Sequence, residues 1–238
     1  FFFKQKTAYE ISTRDWSSDV CSSDLYYDAP ARDGSRAGYF NANVQGLDRK
    51  PRWAMATLVA HEAVPGHHLQ IARALELDGL PEFRRAGWGN AAYVEGWGVY
   101  AETLGREIGL YDDPYALFGH LQSLAFRAAR LVVDTGLHAL GWQRQQAIDF
   151  MVERTGLDAR FVAAEVDRYL ATPAQALAYT MGELKIAELR DRARTRLGAR
   201  FDLRRFHNAV LDQGAVPLDV LERIVDAWIG AEAGAAQR

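Results

Sequence analysis

The stretch HEAVPGHHLQ, residues 61–70, concentrates side chains that could bind a metal ion and move a proton. It contains three of the six histidines of the chain, together with a glutamate. A zinc-peptidase helix uses two histidines one turn apart to bind the metal, and a glutamate beside the first histidine to take a proton from the metal-activated water. His61 and Glu62 fit the start of this pattern, but Pro65 stands where the second histidine would be.

The spacing decides which histidine could be the second ligand. In a regular helix His67 is rotated by about 240° from His61, and His68 lies about 10.5 Å further along the axis. Neither fits a zinc ion whose nitrogen ligands lie about 2.0 to 2.1 Å away. Pro65 and Gly66 predict a bulge or kink, because proline lacks an amide hydrogen and glycine tolerates unusual dihedrals. Two looped-out residues place His67 at the metal, which we favour because many zinc peptidases carry glycine before this ligand; three place His68 there.

A third ligand is expected from a second helix, YVEGWGVYAE, residues 93–102. Glu95 and Glu102 are seven residues apart and so lie on the same helix face. A carboxylate on such an apolar helix is costly unless it is paired or bound to a metal. We predict Glu95 as the ligand, since two nearby glycines permit close approach of another backbone. Glu102 would then orient a ligand histidine. The alternative is that both glutamates pair with arginines such as Arg127 or Arg130.

The elements that must position these residues are mostly helices. Apolar residues recur at helical spacing along most of the chain, while GYFNANVQG, residues 38–46, alternates as a strand does. Asp112 or Asp113 is expected to cap the third helix, and Gly156 to end the fourth. The predicted helices lie in 51–61, 81–109, 114–140, 143–154, 158–170, 173–197, 202–213 and from 217 to about 229. We therefore expect one mainly α domain with a short β element near its start.

The first 25 residues do not read as evolved protein. KQKTAYEI and DWSSDVCSSDL back-translate into sequences that resemble the two ends of a short-read sequencing adapter. We therefore interpret residues 1–25 as an artefactual segment, expected to be disordered, and residues 26–238 as the C-terminal part of a helical metallopeptidase-like domain. Cys21, the single cysteine, lies in the excluded segment, so no disulfide or thiol chemistry is expected.

Charge and hydropathy exclude several classes of partner. The whole chain has a net charge of −3, and leaving out residues 1–25 removes three basic and four acidic residues, which leaves 25 basic and 27 acidic side chains. This balance does not favour a nucleic acid or an anionic membrane surface as partner. No apolar run approaches the roughly 18 to 20 residues that a membrane span needs.

Two further patterns have alternative interpretations. Arg127, Arg130, Asp134 and His138 are at near-helical spacing and could bind a substrate carboxylate, or form a buried ion network, which we favour slightly. The strand over 38–46 could align an extended substrate beside the metal helix, or be an isolated hairpin fragment.

Five segments in register resemble a known family. They are HEAVPGHHLQ, EGWGVYAE, RAARLVVDTGLHALGW, TPAQALAYTMGELKI and FDLRRFHNAVLDQGAVPLDVLE. Together they resemble the C-terminal half of the bacterial domain-of-unknown-function 885 proteins, which are grouped with the zinc-peptidase-like glutamate-zincins. The resemblance extends over residues 26–227 and implies a helical zincin-like catalytic domain with metallopeptidase activity. By this resemblance, we expect a longer N-terminal region to belong to the natural protein.

The sequence thus predicts a zinc metallopeptidase, with Zn2+ bound by His61, His67 and Glu95, and with Glu62 as general base. The resemblance to zincins also suggests Tyr179 or His207 as a donor to the oxyanion of the reaction. The expected partner is a peptide, or a small amide or ester substrate. The alternatives are a zinc-dependent ester, lactone or amide hydrolase and a metal-free helical binding or scaffold protein.

Overall fold

The computed structural model describes residues 25–31, 33–42, 50–85 and 90–234. Ten α-helices and one pair of short strands make up the regular structure of these residues, apart from short 3-10 turns. The expected mainly α fold with a little β structure near its start is confirmed. The expected disorder of residues 1–24 lies outside the described residues, and Leu25 opens the first strand.

The β element is an antiparallel hairpin. Strand β1, Leu25–Asp28, pairs with β2, Tyr39–Ala42, in a register that places Tyr27 opposite Phe40. The strand predicted over 38–46 is therefore observed at 39–42, and the rest of that prediction, residues 43–49, lies outside the described residues. Its partner strand was not anticipated.

The histidine motif follows a 3-10 turn, Arg52–Ala54. Helix α1 spans Met55–Glu62, α2 spans His67–Leu75 and α3 spans Glu82–Arg85. Helix α4, Ala91–Leu104, carries both predicted glutamates. A single long helix ending near residue 109 was expected here. That predicted end is wrong, because residues 105–111 form turns.

The next three helices match their predicted limits closely, because their end signals are strong. Helix α5 spans Pro114–Ala139, and the Asp113 side chain caps it by accepting a hydrogen bond from the amide of Ala116. Helix α6, Arg144–Thr155, ends at Gly156, which has a φ of +65°. Helix α7 spans Ala159–Ala171.

The last three helices differ from expectation mainly where they begin or end. Helix α8 spans Ala178–Leu197 after a 3-10 turn, Gln175–Leu177, so it starts five residues later than Pro173. The reason is Ala174, whose φ of +69° is incompatible with a right-handed helix. Helix α9 covers Leu203–Leu211 after a 3-10 turn at Gly198–Arg200, and α10 covers Leu218–Gly234, which is longer than predicted.

Two apolar clusters hold the helices together. The first joins α4 and α8 to α9 and α10, and the second joins α5, α6 and α7. The first cluster includes Tyr93, Trp97, Ile186, Leu189, Phe206 and Leu221, and the second includes Val133, Ala147, Met151, Val162, Val166 and Tyr169. Helix α1 packs against α4 and α5, so the histidine motif lies where these helices meet.

Candidate metal centre

The two halves of the histidine motif lie on separate helices. Helix α1 ends at Glu62, α2 begins at His67, and the Val64–Pro65 peptide between them is cis. Because Pro65 has no amide hydrogen, it cannot donate to a helical ladder. The bulge or kink expected inside one helix is therefore corrected to a complete break between two helices.

The chain turns tightly at this break. The amide of His68 donates to the carbonyl oxygen of Ala63 at 3.1 Å, which closes a turn one residue wider than that of an α-helix. A Cβ atom at Gly66 would lie 1.8 Å from the carbonyl oxygen of His61, so this position needs glycine. As a result the imidazole rings of His61 and His67 are nearly perpendicular, with centroids 4.6 Å apart.

Glu95 on α4 joins the two histidines. Its Oε2 atom lies 3.4 Å from Nε2 of His61 and 3.4 Å from Nε2 of His67. Two ligand atoms of one tetrahedral zinc ion, each bonded at about 2.0 to 2.1 Å, are separated by about 3.3 to 3.4 Å. Two edges of this triangle of ligands therefore have the length that a shared zinc ion requires.

Two glycines of α4 allow these approaches. A Cβ atom at Gly98 would lie 2.5 Å from Cε1 and 2.7 Å from Nε2 of His61. A Cβ atom at Gly96 would lie 2.4 Å from Cα of Gly182 on α8. The glycines on either side of Trp97 thus let α4 lie against the histidine on one side and against α8 on the other.

Glu102 fixes the ring of His61. Its Oε1 atom lies 2.8 Å from Nδ1 of His61, and the carboxylate is fully buried. An ionised carboxylate only accepts hydrogen bonds, so Nδ1 carries the hydrogen and Nε2 faces Glu95. Arg127 donates to the same oxygen through Nη2 at 2.8 Å. Glu102 therefore both orients a histidine and pairs with an arginine, which the sequence presented as alternatives.

The two imidazole nitrogens and the carboxylate oxygen that meet here need a positive charge between them. A neutral His61 would direct the lone pair of Nε2 at a carboxylate oxygen, which is unfavourable unless a proton or a metal ion lies between them. Burial and Arg127 lower the pKa of His61, but hydrogen bonds to Glu102 and Glu95 outweigh them and raise it to about 9. Burial raises the pKa of Glu95, yet His61 and His67 together hold it well below its ordinary value.

The residues fit a zinc ion by this chemistry. Two imidazoles and one carboxylate form a known ligand set of catalytic zinc, which leaves a coordination position for water or substrate. The carboxylate–histidine contact behind His61 is the arrangement that commonly orients such ligands. Both histidines are buried, while the Glu95 side chain is 15% exposed.

Glu62 lies beside the same centre. One ligand atom each of His61, Glu62 and His67 lie within 4.8 Å of one another, so Glu62 is close enough to be considered as a ligand itself. Glu95 makes the contacts that join the two histidines, because its Oε2 atom lies 3.4 Å from Nε2 of each. The carboxylate of Glu62 is half-buried.

His68, the alternative ligand, faces away from Glu95. Its Nδ1 atom lies 3.0 Å from the hydroxyl oxygen of Tyr27, and the two rings are in edge contact at 5.3 Å. The structure therefore brings His67 rather than His68 to Glu95, and His68 joins α2 to the hairpin.

Tyr179 lies at the centre as well. Its ring stacks on that of His61 with centroids 6.4 Å apart, and the guanidinium carbons of Arg127 and Arg130 lie 4.8 and 4.3 Å from its centroid. Burial, helped by Glu95, raises the pKa of its hydroxyl against the opposing effect of the two arginines. The hydroxyl is therefore protonated at neutral pH and can donate a hydrogen bond.

His207 is not in this group of contacts. Its Nε2 atom lies 2.8 Å from the hydroxyl oxygen of Tyr100, and its ring packs edge-on against Trp97 at 5.4 Å. Position 100 is rotated by about 140° from position 95 around α4, so the contact of His207 with Tyr100 lies on another side of that helix. These contacts give no support to His207 as an oxyanion donor.

The arginines of α5 form an ion network. Arg130 donates to Oε2 of Glu165 at 2.8 Å and to the hydroxyl oxygen of Tyr169 at 2.9 Å. Asp134 accepts from the backbone amide of Ala174 at 3.1 and 3.2 Å. These contacts favour the network over a site for a substrate carboxylate.

Two polar residues at the centre were missed in the sequence. Thr57 and Ser123 donate to Oε2 of Glu102 at 3.0 and 2.8 Å and so complete its hydrogen bonds. Thr57 lies four residues before His61, and Ser123 lies four residues before Arg127. Since residues four apart share a helix face, this spacing was a signal that could have identified both.

The family model for bacterial proteins of unknown function (DUF885) matches residues 4–225, and the chain belongs to this family. The match begins inside the segment attributed above to adapter sequence, so the origin of residues 1–25 stays a prediction. A comparison with curated proteins finds no match.

Two solved structures share the fold. One, described as "the putative lipoprotein from Colwellia psychrerythraea", is 43% identical over 94% of this chain, with a TM-score of 0.87. The other, "a putative lipoprotein of unknown function from Shewanella oneidensis", is 24% identical over 85% of this chain, with a TM-score of 0.74, and is compared for its fold alone. The match covers 39% of each of these longer chains. Among the described residues, no helix is both long and apolar enough to span a membrane.

Proposed function

We propose that this chain carries the zinc centre of a hydrolase that cleaves peptide bonds. The observation that carries the proposal is the position of Glu95, whose Oε2 atom lies 3.4 Å from Nε2 of both His61 and His67. These three residues would hold the ion. When bound, zinc would polarise the scissile carbonyl and lower the pKa of a water molecule.

Glu62 is the general base in this proposal. It directly follows the ligand His61, and its carboxylate belongs to the same group of atoms within 4.8 Å. A carboxylate at this place can take a proton from the attacking water and pass it to the leaving amine, which is the work of a general base and then a general acid.

Tyr179 is the proposed donor to the oxyanion. Its ring packs against His61 and against the guanidinium groups of Arg127 and Arg130. Its hydroxyl keeps its hydrogen at neutral pH. A donor that is fixed in advance stabilises developing negative charge without having to reorganise. Tyr179 is therefore favoured over His207.

The grouping with glutamate-zincins is part of this proposal. The family is described as one of unknown function, so support comes from the ligand geometry, from the buried Glu102 behind His61, and from the glutamate beside the first ligand. Because the chain spans 39% of the longer Colwellia psychrerythraea protein, the activity and substrates of a whole protein of that length are proposals too.

The test combines metal analysis with one substitution. The purified chain should contain about one zinc ion per molecule, and Glu62→Gln should retain it while peptide-library hydrolysis falls by about 10²- to 10⁴-fold. Glu153→Gln, at an exposed position on α6, is the matched control and should leave both unchanged. The corresponding substitution in the longer Colwellia relative should have the same effect.

Several outcomes would contradict the proposal. Absence of zinc from both the chain and the relative, or iron in its place, would refute the metal assignment. Unchanged turnover in Glu62→Gln would refute the role of the base. Hydrolysis of an ester and lactone panel without cleavage of peptides would replace the proposed substrate class.

A further inference from the structure

We propose that Gln175 sets the polarity of the Tyr179 hydroxyl, so that this hydroxyl donates its hydrogen towards the metal centre. Gln175 is thus a positioning residue, and Arg168 and Asp134 hold it in place. The inference rests on the proposed function, in which Tyr179 is the oxyanion donor.

The orientation of the Gln175 amide follows from Arg168. The Nη1 atom of Arg168 donates to Oε1 of Gln175 at 2.6 Å. A guanidinium group has donors and no acceptor, so the atom that faces it must be the amide oxygen. The amide nitrogen then faces the other way, where Nε2 donates to the hydroxyl oxygen of Tyr179 at 3.4 Å.

This contact determines what the Tyr179 hydroxyl can do. A phenol oxygen that accepts a hydrogen bond still has its own hydrogen to donate. Gln175 offers hydrogens to this oxygen and no acceptor, so the tyrosine hydrogen must point to another partner. The ring stacks on His61, so a developing oxyanion at the centre is the partner that the proposed reaction supplies.

The backbone before Gln175 is held at a conformational cost. Ala174 has a φ of +69°, a conformation that is unfavourable for a residue other than glycine. Its amide donates to both carboxylate oxygens of Asp134, whose side chain is nearly fully buried. This anchor directly precedes Gln175 and delays the start of α8, so that residues 175–177 form a 3-10 turn.

The face and the hydroxyl of Tyr179 are positioned by one network. Arg168 is bound by Glu165 at 2.9 Å, and the same carboxylate binds Arg130 at 2.8 Å. Arg130 lies over the ring of Tyr179, and Arg168 orients the Gln175 amide that reaches its hydroxyl. Glu165 therefore links both supports of the tyrosine.

A first experiment measures the hydrogen bond without any activity. In 15N-labelled metal-free protein, the side-chain amide signals of Gln175 are identified by their loss in Gln175→Met. They should shift in Tyr179→Phe and in Arg168→Met, while those of Gln146, exposed on α6, should not. Gln175 signals that are unchanged in Tyr179→Phe would overturn the proposal.

A second experiment separates polarity from packing. In Gln175→Glu the ionised carboxylate accepts the tyrosine hydrogen, so kcat should fall as far as in Tyr179→Phe, by about 10²- to 10³-fold, with KM and zinc content unchanged. The Gln175→Glu, Tyr179→Phe double variant should lose no more than either single variant. Gln175→Met removes the contact but leaves the hydroxyl hydrogen free, so its loss should be smaller.

The order of the losses in kcat among these variants distinguishes the possible results. A structural role alone predicts that Gln175→Met is impaired at least as much as Gln175→Glu, and this order would overturn the proposal. Gln146→Glu is the matched control for the added charge. If the wild-type chain and its longer relative hydrolyse no substrate, the proposed function fails, while the amide signals still decide whether Gln175 is bound to Tyr179. Hydrolysis impaired in Tyr179→Phe but normal in Gln175→Glu would remove the further inference alone.

Discussion

Oε1 of Glu102 lies 2.8 Å from Nδ1 of His61, and the carboxylate is fully buried between α1, α4 and α5. Arg127 neutralises its charge, and His61 places its other ring nitrogen against Glu95. Burial alone would raise the pKa of Glu102, but Arg127 and His61 lower it far below its ordinary value. A negative charge is thereby maintained behind His61, which in the proposed centre would make its imidazole a stronger donor to a metal.

We expect Glu102→Gln to weaken zinc binding by about 10- to 100-fold. The amide can still accept a hydrogen bond from His61, but it removes the charge and leaves Arg127 buried without its ion partner. The protein should also lose stability by about 3 kcal/mol or more, as when one partner of a buried pair is removed. Zinc affinity is measured by competition with a chelator under conditions where circular dichroism shows the variant to be folded.

Glu107→Gln is the matched control, since Glu107 binds Arg190 at a partly exposed site. It also leaves a nearly buried arginine without its ion partner, so it should lose stability too, but it should keep the zinc affinity of the wild type. Equal affinities in Glu102→Gln and Glu107→Gln would contradict the role assigned to Glu102.

The second prediction concerns the two neighbouring histidines. His67→Ala should abolish stoichiometric zinc binding, because its Nε2 atom is one of the two that face Glu95. His68→Ala should keep zinc and lose about 1 kcal/mol of stability with its hydrogen bond to Tyr27. Elemental analysis of both variants checks this, and zinc retained in His67→Ala but lost in His68→Ala would reverse the assignment.

The third prediction concerns Gly98. In Gly98→Ala the new methyl group would lie 2.5 Å from the imidazole of His61, so the ring must move. We expect a loss of about 1 to 3 kcal/mol from overpacking, together with weaker zinc binding. Gly230→Ala in α10 is the control, since its methyl group meets no atom within 4 Å and alanine favours a helix by about 0.5 to 1 kcal/mol. Zinc affinity that is unchanged in Gly98→Ala would show that His61 has room to adjust.

Much of the helical fold could be predicted because its signals are local. Asp113 caps α5, and Gly156 ends α6, as composition and position predict. The start of α8 could not be predicted, because it depends on a contact between Ala174 and Asp134, 40 residues apart. Alanine is a helix former, and only the tertiary contact explains its left-handed conformation.

The candidate site divides in the same way. His61 and Glu62 were proposed from a motif, and Glu95 was proposed as a carboxylate on an apolar helix beside two glycines. The choice of His67 over His68 depends on how the chain turns at Gly66, which periodicity cannot give. Gln175 gave no signal of its own beyond its four-residue spacing to Tyr179, because its role depends on an arginine from another helix.

The fourth prediction concerns His207, whose pKa is lowered from 6.5 to about 4 by burial and by Arg190. The unfolded chain then binds a proton more readily than the folded one. The contribution of neutral His207 to the stability of the fold is complete above pH 6.5 and is lost as the pH falls towards 4. Gln at position 207 can still bond to Tyr100. When the pH is lowered from 7 to 4.5, we expect the free energy of unfolding of His207→Gln to fall by about 2 kcal/mol less than that of the wild type. Urea unfolding at both pH values measures the difference.

The same variant separates a packing role from a catalytic one. The contacts of His207 lie with Tyr100 and Trp97, on a side of α4 that is turned away from Glu95. Hydrolysis at pH 7 should therefore be unchanged in His207→Gln, whereas Tyr179→Phe should reduce kcat. Parallel stability curves for the variant and the wild type would refute the lowered pKa. A fall in kcat as large as that of Tyr179→Phe would show that His207 takes part in the reaction. Packing against Trp97 gives no reason for such a loss at a pH where both proteins are folded.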